Sequence, residues 1–234
     1  MRKSPSLAKL RGELKSLKDP AKARILSGFF KTGPGQYGEG DRFYGITVPR
    51  SREISKRYLG LPLRDIERLL HSKIHEERFQ ALLLLVQRYP ADPTAVYNAY
   101  LKNLKWINNW DLVDASAEHI VGAWLKDRDR GPLYRLAASK HLWSRRVAMV
   151  STFHFIKLGQ SRDTLELAKL LMKDEHDLIH KAVGWMLREL GKRVSGKILR
   201  KFLRENAARM PRTALRVAIE RFSLQERRRW LAAA

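Results

Sequence analysis

The stretch NNWDLVDASAEHIVGAW, from Asn108 to Trp124, carries the helical pattern on which the predicted fold depends. Asn108 or Asn109 is a good N-cap, because its side-chain oxygen can accept a hydrogen bond from a free amide of the first turn. At about 3.6 residues per turn, several apolar side chains share one helix face. They are Trp110, Val113, Ala117, Ile120, Val121 and Trp124. The stretch therefore predicts an amphipathic helix.

Asp114 is the unusual member of this face. It lies about 40° from Trp110 on the same count, inside the apolar stripe. A carboxylate among apolar side chains costs a few kcal/mol unless it is paired or its function requires it there. Arg146 interrupts the apolar face of its own helix in the same way. Two interpretations are open: a functional site, or a structural ion pair of Asp114 with Arg146 or Lys181.

The rest of the sequence reads as amphipathic helices of about 10–18 residues, without a convincing strand pattern. In five of them a polar residue precedes a small or β-branched one, at intervals of 34, 32, 35 and 32 residues. The pairs are Gln80-Ala81, Asp114-Ala115, Arg146-Val147, Lys181-Ala182 and Thr213-Ala214. A repeat of this length is one helical hairpin, which buries its apolar face by stacking on its neighbours. We predict an all-α solenoid that forms a single domain over residues 1–234.

The segment KTGPGQYGEGDRFYGITVP, residues 31–49, departs from this pattern. Its five glycines and two prolines exclude a continuous helix. Two interpretations are open, a surface loop and a basic finger or hairpin that touches the ligand. In the second, the candidate contacts are Tyr37, Arg42 and Tyr44.

Composition points to a polyanionic partner. The chain has 47 Lys and Arg against 24 Asp and Glu, a formal charge of +23, and 44% hydrophobic residues. This favours nucleic acid first and an anionic membrane surface second. The absence of cysteine excludes disulfides and thiol-based zinc sites. With no apolar run of membrane-spanning length, we expect a cytoplasmic, nucleoid-associated protein that does not enter the membrane.

Two pairs of histidines have a spacing that can indicate a metal site. His71 and His75, and likewise His176 and His180, are four residues apart, which can place two ligands on one helix face. No third ligand and no HExxH pattern accompany either pair. We therefore predict neither a metal nor a cofactor.

Three motifs occur in order at the repeat spacing: WDLVD (Trp110–Asp114), LWSRRVA (Leu142–Ala148) and KAVGWMLRE (Lys181–Glu189). Over roughly residues 23–222 the chain resembles the HEAT-like repeat alkylpurine DNA glycosylases, the AlkD-like DNA alkylation repair proteins. The resemblance implies a right-handed solenoid of HEAT-like (ARM/HEAT-type) repeats with a basic concave face for double-stranded DNA. It implies a base excision repair hydrolase that releases cationic N3- and N7-alkylated purines, such as 3-methyladenine and 7-methylguanine, without base flipping.

The resemblance also assigns roles to individual residues. Asp114 matches the catalytic carboxylate, and Trp110 and Trp185 match two tryptophans that pack against the deoxyribose of the lesion. Core packing is the alternative for both tryptophans. The candidate phosphate contacts are Arg146, which matches the family's phosphate-binding arginine, Lys181 and Arg145.

Two departures from the family pattern keep another function open. Ile25 stands where well-characterised members carry a tyrosine, and residues 31–49 look like an insertion. Some relatives bind branched or distorted DNA through an added basic element and show little or no base excision. A non-catalytic binder of such DNA is therefore the alternative function, and a protein-binding scaffold is a third. In each case we expect a monomer.

Overall fold

The computed structural model describes residues 5–232, so residues 1–4 and 233–234 of the predicted domain lie outside the described range. Within that range the chain is all-α and has no β-strand, which confirms the all-α part of the predicted fold class. None of the helices between residues 5 and 232 is long and apolar enough to cross a lipid bilayer. The chain divides into two compact units, whose boundary in the sequence falls between Ser116 and Ala117.

The first unit is organised around one buried helix, α5. Its helices are α1 (Leu7–Ser16), α2 (Pro20–Phe29), α3 (Val48–Lys56), α4 (Leu63–Leu70), α5 (His75–Arg88), α6 (Pro93–Lys102) and α7 (Trp110–Asp114), with a 3-10 turn at Leu104–Trp106. Helix α5 packs against α3, α4, α6 and α7. Every residue of α5 from His75 to Leu85 is buried, including four charged ones at its start. Since unpaired buried charges are costly, each of these four needs a partner.

The second unit is organised around α10 and α12. It begins with a π-helix at Glu118–Gly122, followed by α8 (Ala123–Leu125), α9 (Gly131–Ala137), α10 (Leu142–Lys157), α11 (Arg162–Leu171), α12 (Asp177–Arg193), α13 (Gly196–Asn206), a 3-10 turn at Ala207–Arg209, α14 (Arg212–Ala218) and α15 (Leu224–Ala232). Helix α12 packs against α10 on one side and α14 on another. A Cβ at Gly184 would lie 2.5 Å from the Ala214 carbonyl oxygen, so glycine allows α12 to approach α14 closely.

The helix predicted over residues 108–124 begins as expected but is interrupted. The Asn109 side chain accepts a hydrogen bond from the Trp110 amide at 2.8 Å, which confirms the N-cap. Helix α7 then ends at Asp114, and the prediction of one continuous helix is wrong. The Ser116 hydroxyl donates to the Leu112 carbonyl at 2.6 Å, a local bond that competes with regular helix geometry. The predicted apolar positions are nevertheless fully buried at Val113, Ala117, Ile120 and Val121.

The five repeat pairs all fall in or at the end of helices, and four of their five apolar members are fully buried, whereas Ala115 is half-buried. Full burial is found at Ala81, Val147, Ala182 and Ala214. The polar members differ from one another, because Gln80 is completely buried and donates to the Ser51 carbonyl, whereas Lys181 is exposed. The repeat thus marks equivalent packing positions. A continuous column of polar groups stays a prediction.

The Gly-rich segment lies against the start of α5. The Arg42 amide donates to the Lys73 carbonyl at 3.1 Å, and the His75 amide donates to the Arg42 carbonyl at 2.8 Å. This isolated bridge replaces the two paired strands that a hairpin would require, so the hairpin interpretation is wrong. The segment passes through turns and extended backbone before α3 begins at Val48.

A buried carboxylate anchors the second half of the segment. The Glu76 side chain accepts hydrogen bonds from three consecutive backbone amides, those of Tyr44, Gly45 and Ile46, at 2.9, 2.7 and 3.1 Å. Glu76 is only 3% exposed. The main chain of the segment is therefore bonded to the first unit through Glu76.

We expect Gly45→Ala to lower the free energy of unfolding by about 3 kcal/mol, the sum of left-handed strain and overpacking. Gly45 has φ +88°, and an added Cβ would lie 2.4 Å from the Asp19 carbonyl oxygen. The matched control is Gly35→Ala, because Gly35 has φ +71° with nothing within 4 Å of an added Cβ. Urea unfolding should show a cost of about 1 kcal/mol for the control. Equal costs for the two variants would contradict the close packing at Gly45.

Candidate functional site

Trp110 and Asp114 lie one helical turn apart in α7, and both are half-buried. The Trp110 ring stacks on Phe30 at 5.2 Å between centroids and 25° between planes, and meets the edge of Phe29 at 5.8 Å. Asp114 lies near the buried phenol of Tyr100. Burial raises the pKa of Tyr100, and the negative charge of Asp114 raises it further. This half of the predicted site therefore places an indole and a carboxylate together on one short helix.

An apolar cavity of about 360 Å³ opens beside Trp110 in the first unit. Its aromatic and aliphatic walls include Ile25, Phe29, Phe30, Phe43, Phe79 and Trp110. Two of them are strongly exposed, Ile25 at 70% and Phe29 at 59%. Ile25 thus gives this edge of the site an apolar side chain in place of the tyrosine hydroxyl that the resemblance implies.

A buried cluster of charged side chains contacts the first turn of α7. His75 is 3% exposed, with Nε2 at 2.8 Å from Asp111 and Nδ1 at 3.3 Å from Asp41. Arg78 lies 2.6 Å from the same Asp41 carboxylate. Burial acts to lower the pKa of His75, but the two carboxylates outweigh it and raise that pKa to about 9. His75 is therefore a cation at neutral pH.

Sequence reasoning missed this cluster, because His75 was considered only as a metal ligand paired with His71. The structure separates their roles, since His71 bonds the Asn103 side chain at 2.7 Å. Within residues 5–232, His, Asp and Glu side chains form no group of three or more that could hold a metal ion. The available signal was the run HEER (His75–Arg78) directly before the apolar run FQALLLLV. Charged residues in the first turn of such an apolar helix are buried together with the apolar residues that follow them.

In the second unit, Trp185 and Arg146 occupy the packed helices α12 and α10. Trp185 is half-buried, with its ring 5.9 Å from Phe153. Arg146 is 5% exposed, and its Nη1 donates to the Leu178 carbonyl at 2.5 Å in the first turn of α12. The arginine is thus held by the backbone of the helix that carries Trp185.

The two other candidate phosphate contacts differ sharply in environment. Arg145 is held by Asp174, with Nε 2.5 Å from the carboxylate, and its Nη1 donates to the Ser139 and Lys140 carbonyls. Lys181 is 54% exposed and pairs with Asp177 at 2.8 Å within one turn of α12. Hydrogen bonding to Lys181 lowers the pKa of Asp177. Of the two, Lys181 has the more exposed charged group.

The three candidate contacts of the Gly-rich segment also differ. The Tyr44 hydroxyl donates to Glu77 at 3.2 Å, and Lys18 lies 4.9 Å above the Tyr44 ring. Tyr37 is half-buried, whereas Arg42 is exposed. Arg42 therefore extends an exposed guanidinium from a backbone that is fixed on both sides.

Comparison with known proteins shows the family and the fold of the chain. A family model described as "DNA alkylation repair enzyme" matches residues 10–222. A solved structure titled "Predicted DNA alkylation repair enzyme from Enterococcus faecalis" is 21% identical and superimposes with a TM-score of 0.73, covering 88% of this chain and 97% of that one. At this identity the structural likeness shows a shared fold. No protein with a curated description matches the sequence significantly. The family match spans most of the chain, and the chain belongs to the family of DNA alkylation repair enzymes.

Proposed function

We propose that the protein is a DNA glycosylase that excises cationic N3- and N7-alkylated purines from duplex DNA. The observation that carries the proposal is the pairing of Trp110 with Asp114 on α7, in a chain of the DNA alkylation repair family. A half-buried carboxylate beside a half-buried indole suits a reaction in which positive charge develops on a sugar. The proposed substrates include 3-methyladenine and 7-methylguanine.

The chemistry needs a fixed negative charge more than an acid. An N3- or N7-alkylated purine already carries positive charge, so it leaves without protonation when the bond from C1′ to N9 breaks. The bonding electron pair neutralises the departing base, and positive charge develops on the sugar. The Asp114 carboxylate stabilises this oxocarbenium-like state and orients the water whose oxygen bonds to C1′ and whose proton is released. The products are the free alkylated base and an abasic site.

The other site residues hold the DNA in place. We propose that Trp110 and Trp185 pack against the deoxyribose and exclude water, with cation–π attraction of about 0.5–2 kcal/mol. Lys181 binds a phosphate without reading sequence. Arg146 is 5% exposed and donates to the Leu178 carbonyl, so its proposed phosphate contact is weaker than that of Lys181. Arg145 and Tyr44 support these contacts indirectly, because both are held by internal carboxylates. In the Gly-rich segment, Arg42 is the strongest candidate for direct contact.

The proposal extends to the architecture of the site. The stacked helices α10, α12 and α14 of the second unit have the order expected of successive repeats. We propose a right-handed HEAT-like solenoid whose basic concave face binds the duplex without base flipping. The formal charge of +23 supports binding to DNA. The proposal includes a monomer that acts in the cytoplasm, within base excision repair.

The direct test is release of free 7-methylguanine and 3-methyladenine from methylated duplex DNA without added metal. Wild type is compared with Asp114→Asn and with the control Asp127→Asn, since the Asp127 side chain is 77% exposed. Release by wild type and the control, but not by Asp114→Asn, is the expected result. Tight DNA binding without release by any of the three would contradict the glycosylase. The function would then be recognition of branched or distorted DNA.

DNA affinity should fall steeply with salt. A groove that contacts six or more phosphates loses about 10³-fold in affinity between 50 and 200 mM salt. Lys181→Ala should reduce the slope of log affinity against log salt by about one, because one phosphate contact disappears. The matched control is Lys169→Ala, since Lys169 is 47% exposed and is also paired with a carboxylate one turn away. Fluorescence anisotropy on an undamaged duplex measures both slopes. A shallow slope for wild type would favour a protein-binding scaffold.

A further inference from the structure

We propose that His75 is a positioning residue that holds Trp110 and the first turn of α7 in place for catalysis. The inference rests on the proposed function, because it assigns His75 a task in presenting Trp110 and Asp114 to the DNA. It also gives the Gly-rich segment a role, since the same imidazole joins that segment to α7.

The first line of support is a cluster of rings. Phe43 stacks on His75 at 4.7 Å and 24°, His75 lies 4.9 Å from Phe30, and Phe30 stacks on Trp110 at 5.2 Å. Phe30 and Phe43 also stack on each other at 5.3 Å, so Phe30, Phe43 and His75 form a triangle of mutual contacts on which one face of the indole rests through Phe30. A shift of the His75 ring disturbs one of the ring contacts that hold Phe30 against Trp110.

The second line of support is the hydrogen bond from His75 to α7. Nε2 lies 2.8 Å from Oδ2 of Asp111, the residue that follows Trp110. The other oxygen of Asp111 accepts the Leu112 amide at 2.9 Å. The carboxylate therefore connects the imidazole to the backbone of the first turn of α7.

The opposite side of the ring meets the Gly-rich segment. Nδ1 lies 3.3 Å from Oδ2 of Asp41, which also pairs with Arg78, and Oδ1 of Asp41 accepts from the Asn108 side chain at 3.3 Å. Ionised carboxylates only accept hydrogen bonds, so both contacts are satisfied when both ring nitrogens of His75 donate, as they do in an imidazolium. The segment and the residues before α7 are thus joined through one buried cation.

The charge on His75 makes this support dependent on pH. The charged groups facing the ring are Asp111 from α7, Asp41 from the Gly-rich segment and Arg78 from α5, and Phe30 of the α2 end is uncharged. Burial opposes the charge, yet the carboxylates raise the pKa of His75 from 6.5 to about 9. Its stabilising contribution is therefore complete below pH 6.5 and is lost as the pH rises through about 9. Deprotonation removes one donor, and one of the two carboxylates then loses its hydrogen bond from the imidazole.

The test is the pH dependence of 7-methylguanine release in single turnover, between pH 6.5 and 9.5, after subtraction of the rate without protein. We expect the wild-type rate constant to fall in one titration at the alkaline end. His75→Phe keeps a ring in the cluster but removes both hydrogen bonds, so it should be at least about tenfold slower at pH 7 with a flat profile. Asp111→Asn keeps an acceptor but removes a charge, and should move the fall by about one pH unit or more to lower pH.

The control is His71→Gln, because His71 belongs to the same unit but bonds the neutral side chain of Asn103. It should retain the wild-type profile. A second readout needs no DNA: the Trp110 indole N–H resonance, assigned with Trp110→Phe, should shift with pH in wild type and in Asp111→Asn, and remain constant in His75→Phe. If wild type releases no base but the resonance titrates, the glycosylase proposal fails and the positioning of Trp110 stands. A resonance that does not respond to pH, with Asp111→Asn following the wild-type profile, would overturn the inference.

Discussion

Asp114→Asn is expected to reduce release of 7-methylguanine by about 10²–10³-fold, the usual loss when a group that stabilises developing charge is removed. Asparagine has nearly the same shape as aspartate, so the packing of α7 should be kept. What is lost is the negative charge opposite the sugar, and with it the stabilisation of the oxocarbenium-like state. The single-turnover rate constant at saturating protein is the quantity to measure, because it excludes effects on binding.

The same variant separates the site from its structural alternative. DNA affinity measured by anisotropy should change by less than about threefold, since the phosphate contacts are made by cations rather than by Asp114. If Asp114 is mainly half of a structural ion pair, Asp114→Asn should instead lower the urea midpoint and leave the rate constant of the folded protein near wild type. Asp127→Asn, at an exposed site, should change neither quantity.

Glu76→Ala is expected to produce the largest loss of stability, about 4–6 kcal/mol, because three backbone amides lose their acceptor at once. Two of them, at Gly45 and Ile46, are buried and cannot turn to water. Glu76→Gln keeps one carbonyl oxygen but places an amino group opposite one of the donors, so it should cost about half as much. Urea unfolding followed by circular dichroism gives the free energies. Hydrogen exchange of the three amides shows whether the Gly-rich segment detaches first.

A matched control is available on α3. Glu53 pairs with Arg50 at 2.8 Å, and its side chain is 58% exposed, so Glu53→Ala should change stability by less than about 0.5 kcal/mol. Similar unfolding curves for Glu76→Ala and Glu53→Ala would show that the Gly-rich segment is held by contacts other than the Glu76 carboxylate. The ordering of the first unit around α5 would then need another explanation.

Local features of the chain were predictable because they depend on neighbours in sequence. The cap by Asn109 and the exclusion of helix from residues 31–49 follow from side chains and glycines within a few residues. The repeat pairs located buried positions such as Ala81 and Val147, since helical periodicity records which face is buried. The interruption of the helix near Ser116 was not predictable from the local sequence. The Ser116 hydroxyl donates a hydrogen bond to the Leu112 carbonyl and also bonds the Tyr100 phenol.

Contacts between distant residues depend on the tertiary structure alone. Arg145 looked like its neighbour Arg146 in the sequence, but only folding brings Asp174 against its guanidinium. Likewise, the sequence of residues 31–49 is typical of an exposed insertion, but only folding brings the Glu76 carboxylate within hydrogen-bond distance of their amides. No local pattern encodes such pairings, because the partners are about thirty residues apart and meet only when the helices pack.

The sequence by itself determined the helical class, the helical positions of Trp110 and Asp114, and the cationic character of the chain. The tertiary structure decided how that part of the site is supported. It buried His75 between two carboxylates and two aromatic rings, where its charge is retained. The physical reason is that charge and burial conflict in an isolated segment and are reconciled only when folding supplies the partners.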